Sequence, residues 1–287
     1  MGLVSDIKAD AKGNRTVIQS TEGAQLAGIL NKLFYMDKRP ELEAEFIKQV
    51  ATRGQATQER IGLHASAMLT GDKQFCLRQQ VLSLMYKQLQ GEQVNPDLKR
   101  IFAEGDAVHE KWQRLFLRAS YSDLGDLDVT RFWNKYRISY TPDIICHIPE
   151  FFEGRMVGEL KSVNTYQFQK MGRHPSAWKQ CLWYSYMCIK AEKAAGTWNG
   201  VDFTKGFVLN EDKNTQQFKI EVYDFDIDQI KPFVRRCRSI KESYINAQRG
   251  NMVPRPADAK SSDCKRCYQC PMQDACWRPS KAEKLKR

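Results

Sequence analysis

Apolar residues recur at helical spacing through EGAQLAGILNKLFYM, and a second helical pattern, PELEAEFIKQVATR, starts on a proline. The same period returns in FCLRQQVLSLMYKQL. After an NPD turn, where Asp97 is placed to cap the next helix, it runs on through LKRIFAEGDAVHEKWQRLFLRA. The centre of the chain changes character. RFWNKYRISY, DIICHI and RMVGELKSV are short, rich in β-branched and aromatic residues, and set apart by TP and EFFEG segments, which predicts consecutive antiparallel strands. After Pro175 a long aromatic helix, AWKQCLWYSYMCIKAEKA, is expected. KGFVLN and QFKIEVYDF then flank EDKNTQ as a hairpin, and DQIKPFVRRCRSIKESYINAQRG forms a last helix ending at Gly250. NMVPRPADAKSSD reads as a linker into a cysteine cluster, and RPSKAEKLKR as a basic tail.

Helices, a small central sheet and helices again predict an α/β or α+β core with helical and cysteine-rich additions. The expected division is a helical segment over 1–70, the core over 71–250, and a linker, cysteine-rich segment and basic tail over 251–287. A length of 287 residues suffices to bury such a core without disulfides. Hydrophobic residues at 42% and charged residues at 28% exclude a disordered chain, and no apolar run reaches the roughly 18 to 20 residues of a bilayer helix. The start, MGLVSDIKADAKGNR, lacks the apolar centre of a signal peptide, so the protein is expected to act in the cytoplasm, with no membrane partner. Lys plus Arg outnumber Asp plus Glu by 45 to 34, a net charge of +11 that favours a polyanionic partner, of which nucleic acid is the commonest.

Candidate chemistry concentrates around Pro142-Asp143 and, sixteen residues beyond that aspartate, GELKS with Glu159, Leu160 and Lys161. Residues two apart on a strand share a face, so Glu159 and Lys161 point one way while Leu160 turns into the sheet. A strand beginning at Asp143 brings a second carboxylate alongside. Hard oxygen ligands of this kind suit Mg²⁺ or Mn²⁺, which polarises a phosphate and acidifies bound water, and an adjacent ammonium orients that water or offsets developing charge. Taken singly, a Glu-x-Lys is as often a solvated cross-strand pair and a Pro-Asp a turn. Pro96-Asp97 before a helix and Glu211-Asp212-Lys213 in a hairpin loop are such decoys, lacking the strand context.

Order along the chain sharpens the picture. Gly105 and His109 lie four apart on one predicted helix, and Gln180 and Tyr184 four apart on another, each pair on one helical face. Gly-x-x-x-His, Pro-Asp, Glu-x-Lys and Gln-x-x-x-Tyr, in that order over roughly residues 100 to 190, resemble the RecB-type branch of the PD-(D/E)XK nucleases. The resemblance implies a restriction-endonuclease-like α/β core over 71–250, with a small mixed sheet flanked by helices. It makes Asp143 and Glu159 ligands of Mg²⁺ or Mn²⁺, adds the Leu160 carbonyl and His109, gives Lys161 the attacking water, and leaves Gln180 and Tyr184 to hold the substrate strand or orient the site.

Nine cysteines in a chain without an export signal do not read as a disulfide framework. Cys146, Cys181, Cys188 and Cys237 sit among apolar neighbours as small buried hydrophobes. Cys264, Cys267, Cys270 and Cys276 crowd together, while Cys76 stands far upstream at the head of a helix. This arrangement resembles the iron–sulfur subgroup of the same nucleases, which includes CRISPR-associated adaptation exonucleases. That resemblance implies a [4Fe–4S] cluster on Cys76, Cys267, Cys270 and Cys276, a C-terminal metal clasp. Thiolates also suit Zn²⁺, for which the four local cysteines including Cys264 are the alternative set, so spacing alone leaves the metal open.

The function expected is that of a metal-dependent deoxyribonuclease, an exonuclease on single-stranded DNA or duplex ends, in recombination, repair or processing. Partners beyond DNA would be a helicase, a recombinase or a second copy. The rivals are a catalytically silent iron–sulfur or zinc nucleic-acid-binding module, and a nuclease subunit active only inside a helicase or adaptation complex.

Overall fold

The computed structural model describes residues 7–9, 15–17, 20–55, 63–69, 71, 74–86, 96–170, 174, 176–268 and 270–278. Strands β1 (Ile7–Ala9) and β2 (Arg15–Val17) pair antiparallel, where the sequence suggested helix and loop. Helices α1 (Thr21–Asn31) and α2 (Pro40–Gln55) follow, with a 3-10 turn over Lys32–Tyr35 between them. Next come β3 (Leu63–His64), α3 (Leu77–Met85) and α4 (Pro96–Arg118). Asp97 therefore stands inside the first turn of α4 rather than before it, because Pro96, with no amide hydrogen to lose, already occupies the opening position.

RFWNKYRISY splits into β4 (Arg131–Trp133) and β5 (Ile138–Tyr140), with Arg137 at φ 55° in the turn between them. DIICHI and RMVGELKSV become β6 (Ile144–His147) and β7 (Arg155–Val163). Then follow α5 (Thr165–Lys170), α6 (Ala177–Ala195), the hairpin of β8 (Lys205–Asp212) and β9 (Phe218–Asp224), α7 (Ile227–Gln248) and α8 (Gln273–Trp277). Pro175, which precedes α6, and the basic tail beyond Arg278 lie outside the described residues. No helix among the described residues is long and apolar enough to cross a membrane.

The chain divides into two compact units. The first comprises residues 1–58, 97–131 and 141–230. Its centre is a mixed sheet in the order β6-β7-β8-β9, antiparallel at both edges and parallel between β7 and β8. One sheet face carries Ile144, Met156, Leu160, Phe207, Leu209 and Ile220. These pack with Leu26 and Leu30 of α1, Phe46 of α2 and Val108, Trp112 and Phe116 of α4 into the main core. Helix α6 packs against β7 and β8. It is buried continuously from Cys181 to Ile189, which explains why so aromatic a helix was needed there.

Two glycines set the fit of these layers. A Cβ on Gly206 would stand 2.5 Å from Cys181 Sγ, so the glycine lets α6 close onto β8, where the Cys181 thiol donates to the Val157 carbonyl at 3.3 Å. A Cβ on Gly158 would lie 2.3 Å from the Phe207 ring, which is itself stacked on Phe116 with 6.0 Å between centroids. The ring has nowhere to go. Gly158→Ala is therefore expected to destabilise the protein by about 1–3 kcal/mol, the usual cost of overpacking. A lowered denaturant midpoint at unchanged m-value would show it, and an unchanged midpoint would mean that the Phe207 ring moves freely.

The second unit comprises residues 59–96, 132–140 and 231–287. Most of a three-stranded sheet, β3-β5-β4, lies in it, with β3 parallel to β5 through Leu63↔Ile138 and His64↔Ser139. RFWNKYRISY thus does not precede DIICHI within one meander, as the strand-like composition suggested; its strands belong to a separate sheet. A small cluster of Leu82 from α3 with Met272 and Ala275, flanked by Cys270 and Cys276, ties the cysteine-rich segment to α3.

Candidate active site

Asp143 immediately precedes β6, and Glu159 sits in the middle of β7 opposite Val208 of β8. Three contacts fix Asp143. Its Oδ2 accepts the Leu160 amide at 2.8 Å, while its carbonyl accepts Gln113 Nε2 at 2.8 Å and the Asp128 amide at 3.2 Å. Gln113 comes from α4 and is itself buried, so the helix that carries His109 also pins the peptide of Asp143.

Glu159 is fully buried, and its two oxygens have different fates. Oε1 accepts the Lys161 ammonium at 2.5 Å, while Oε2 has no hydrogen-bond partner. The same ammonium stands 3.9 Å from Asp143 Oδ2. Burial and the neighbouring Asp143 push the Glu159 carboxyl above the ordinary range, against the pull of Lys161. Burial works against the Lys161 charge too, yet Glu159 and Asp143 hold its pKa above the usual value. Both shifts express one condition: two carboxylates share one ammonium in a dry place, and the local potential is more negative than that single cation can offset.

His109, on α4, adds a third group. Its Nε2 lies 3.1 Å from the Leu160 carbonyl, which can only accept, so Nε2 carries the proton. Nδ1 stands 3.6 Å from Asp143 Oδ1. A histidine that donates one ring N–H to a backbone carbonyl and offers the other nitrogen is arranged as metal-binding histidines commonly are. The Leu160 carbonyl, by the same contact, already accepts one hydrogen bond.

On α6, Gln180 Nε2 donates to the Tyr184 hydroxyl at 3.1 Å. Tyr184 is fully buried, and burial followed by the charges of Glu159 and Asp143 raises its pKa well above the ordinary value. Asp143, Glu159, Leu160, Lys161, His109, Gln180 and Tyr184 thus belong to one unit, gathered by α4, β6, β7 and α6. Gly105 lies one turn before His109 on α4, where an added Cβ would meet open space.

Sequence reasoning missed Gln113, Asn210 and His174. Asn210 pairs in register with Lys161 and is buried. His174 accepts the Ala177 amide at Nδ1 (3.1 Å), and burial and then Lys161 lower its pKa, so it too lies near the lysine. A polar residue closing the apolar run KGFVL was the available signal for Asn210; the other two are lone polar residues with no spacing to mark them.

The decoys resolve into structure. Glu211 is buried against Trp112 Nε1 (2.7 Å) and Lys111 Nζ (2.6 Å), Lys213 pairs with Glu104 at 2.6 Å, and Asp212 closes the hairpin turn. Thr165, Asn214 and Thr215 donate to that aspartate, and they hold it below the ordinary carboxylate range despite its burial.

In the second unit, Cys76 takes the cap position of α3, its Sγ accepting the Gln79 amide at 3.4 Å. Cys76, Cys267, Cys270 and Cys276 line one small cavity together with Arg78 and Trp277; Cys264 is not among its lining residues. Arg78 Nε donates to Cys276 Sγ at 3.1 Å, and Cys270 is raised by burial with Cys76 and Cys276 close by. None of the nine cysteines forms a disulfide. Among the described residues no group of three or more His, Cys, Asp or Glu stands in ready metal-holding geometry.

No protein-family model matches the chain, and a search of the curated proteins returns no match. Solved structures do align with it. The crystal structure of SSO0001 is 12% identical, covering 81% of this chain and 93% of its own, with a TM-score of 0.40. An alkaline exonuclease (LHK-Exo) from Laribacter hongkongensis is 11% identical, covering 66% of this chain and 92% of its own, with a TM-score of 0.37.

Proposed function

We propose that the first unit is a PD-(D/E)XK nuclease core of the RecB type that hydrolyses DNA with a divalent cation, acting as an exonuclease on single strands or duplex ends. One observation carries the reading: a fully buried Glu159 whose Oε2 lacks any partner, beside Asp143 and a lysine two residues along the same strand. A buried carboxylate oxygen without a partner is costly, and a hard cation is the group whose charge and preference for oxygen fit that donor set. Asp143, Glu159, His109 and the Leu160 carbonyl would hold Mg²⁺ or Mn²⁺. Once bound, the ion polarises the phosphate and acidifies water.

The remaining work falls to the chain's own residues. Lys161 orients the attacking water and offsets charge as the oxygen adds to phosphorus. The P–O bond to the leaving sugar oxygen breaks, and that oxygen takes up one proton for the one that the attacking water releases. Gln180, half-buried beside Tyr184, offers its amide to the substrate strand. The net charge of +11 supports a phosphate-bearing partner, and the cytoplasm is the compartment proposed.

The second unit is read as a structural clasp. The reading of a [4Fe–4S] cluster on Cys76, Cys267, Cys270 and Cys276 is supported by the four cysteines lining one cavity and by a guanidinium that reaches Cys276 and would offset thiolate charge.

End-labelled single-stranded DNA, linear duplex and circular DNA, each incubated with the purified chain and Mg²⁺ or Mn²⁺, test the reading. Linear substrates are expected to be degraded and circles spared. Lys161→Ala is expected to cut the rate by about 10²-fold or more, the usual size of such help, while Lys213→Ala leaves it unchanged. Absence of cleavage with DNA binding retained would instead favour the silent binding module.

A further inference from the structure

Lys161 has a second acceptor waiting on the neighbouring strand. Asn210 of β8 pairs in register with Lys161 of β7, so the two side chains stand next to each other on one sheet face, and Asn210 is only 3% exposed. The direction of its amide is settled by its partner. Nδ2 donates at 3.0 Å to Glu221 Oε1 on β9, and a carboxylate oxygen can only accept, so the nitrogen faces Glu221 and Oδ1 is turned away from it. That Oδ1 is buried and has no hydrogen-bond partner, a state native interiors seldom leave without a reason.

Lys161, meanwhile, spends its charge on the oxygens a divalent cation would need, Glu159 Oε1 at 2.5 Å and Asp143 Oδ2 at 3.9 Å. A cation on those carboxylates repels the ammonium, which must find another acceptor without leaving the site. His174 and Glu221, the other polar groups on that side, are poor candidates. His174 Nδ1 already takes the Ala177 amide, so its remaining ring nitrogen is a donor. Glu221 Oε1 accepts both Asn210 and the His174 amide, and its Oε2 accepts the Tyr223 hydroxyl.

We propose that Asn210 is a positioning residue for Lys161: its free Oδ1 receives the ammonium when a divalent cation occupies Asp143 and Glu159, and so keeps the lysine beside the reacting phosphate. The inference rests on the metal-dependent reading above and adds the step by which lysine and metal share two carboxylates.

Manganese binding to the full chain, followed by the loss of free-ion electron paramagnetic resonance signal without DNA, provides the test. Asn210→Leu is expected to weaken Mn²⁺ binding about tenfold, the loss of one charge-assisted hydrogen bond, because Lys161 then lacks that buried acceptor. In a Lys161→Met background the same substitution is expected to change nothing. Equal weakening in both backgrounds would mean that Asn210 merely supports the fold and would overturn the proposal, as would unchanged affinity in Asn210→Leu alone. If the leucine variant does not fold, Asn210→Ala carries the same comparison. Failure of the wild-type chain to bind Mn²⁺ at all would instead remove the metal-dependent reading and this inference with it; the wild-type titration tells the two failures apart.

Discussion

Asp143→Asn and Glu159→Gln are each expected to lower Mg²⁺-dependent cleavage by about 10³-fold or more while leaving DNA binding largely intact. Each replaces a charged oxygen by a neutral group of the same shape, so packing is preserved and the attraction for a dication is lost. The two variants should differ in a second respect. Asp143 holds the Leu160 amide through Oδ2, a bond that asparagine keeps if its own oxygen faces that amide. Glu159 lies in the dry centre of the sheet, where burial and Asp143 raise its pKa.

A raised folded-state pKa means the folded chain holds that proton more tightly than the unfolded chain does. The associated stability is present at low pH and lost as pH rises through the raised value. Glutamine never ionises. In EDTA, Glu159→Gln is therefore expected to melt above the wild-type protein at alkaline pH, with the gap closing as pH falls toward the ordinary carboxylate range near about 4.3. The one substitution would abolish function and raise metal-free stability, which is the pattern of a residue kept for a ligand rather than for the fold. Melting curves between about pH 5 and pH 9 check this. A Gln variant less stable throughout would show that the ion pair with Lys161 outweighs the cost of burial.

Local pattern carried much of the fold and little of the site's support. The apolar periods of α1, α2 and α6 and the β8–β9 hairpin are visible in the chain because each is a local amphipathic or turn-bounded unit. The β1–β2 hairpin is not, since two three-residue strands carry no period. The strands of RFWNKYRISY were legible as strands, but not as members of a sheet with β3, a pairing that spans 75 residues between Leu63 and Ile138 and leaves no local trace. The same division runs through the site. Alternation along a strand places Glu159 and Lys161 on one face from sequence alone, and their 2.5 Å contact follows from it. Gln113 under Asp143, and Asn210 beside Lys161, depend on the packing of α4 and the register of β8, so only the folded chain brings them in.

The largest effect outside the catalytic face is expected at the cysteines, where two metals predict opposite results. If Cys76, Cys267, Cys270 and Cys276 hold a [4Fe–4S] cluster, anaerobically purified protein is brown and carries about four irons. Cys76→Ala then bleaches and destabilises it as much as Cys270→Ala does, because the cluster ties the head of α3 to the C-terminal segment and removes freedom from a long stretch of unfolded chain. Cys264→Ala stays mild, consistent with a thiol that does not line the cavity. A local zinc site reverses every term: colourless protein, about one zinc, severe damage from Cys264→Ala and little from Cys76→Ala, whose sulfur would be left capping a helix. Glu159→Gln supplies the internal control, since it empties the catalytic face but touches nothing in the second unit. Its iron content should equal that of the wild type. Full retention of iron in the Cys76 variant would overturn the clasp and leave the nuclease reading standing, because the two rest on separate units of the chain.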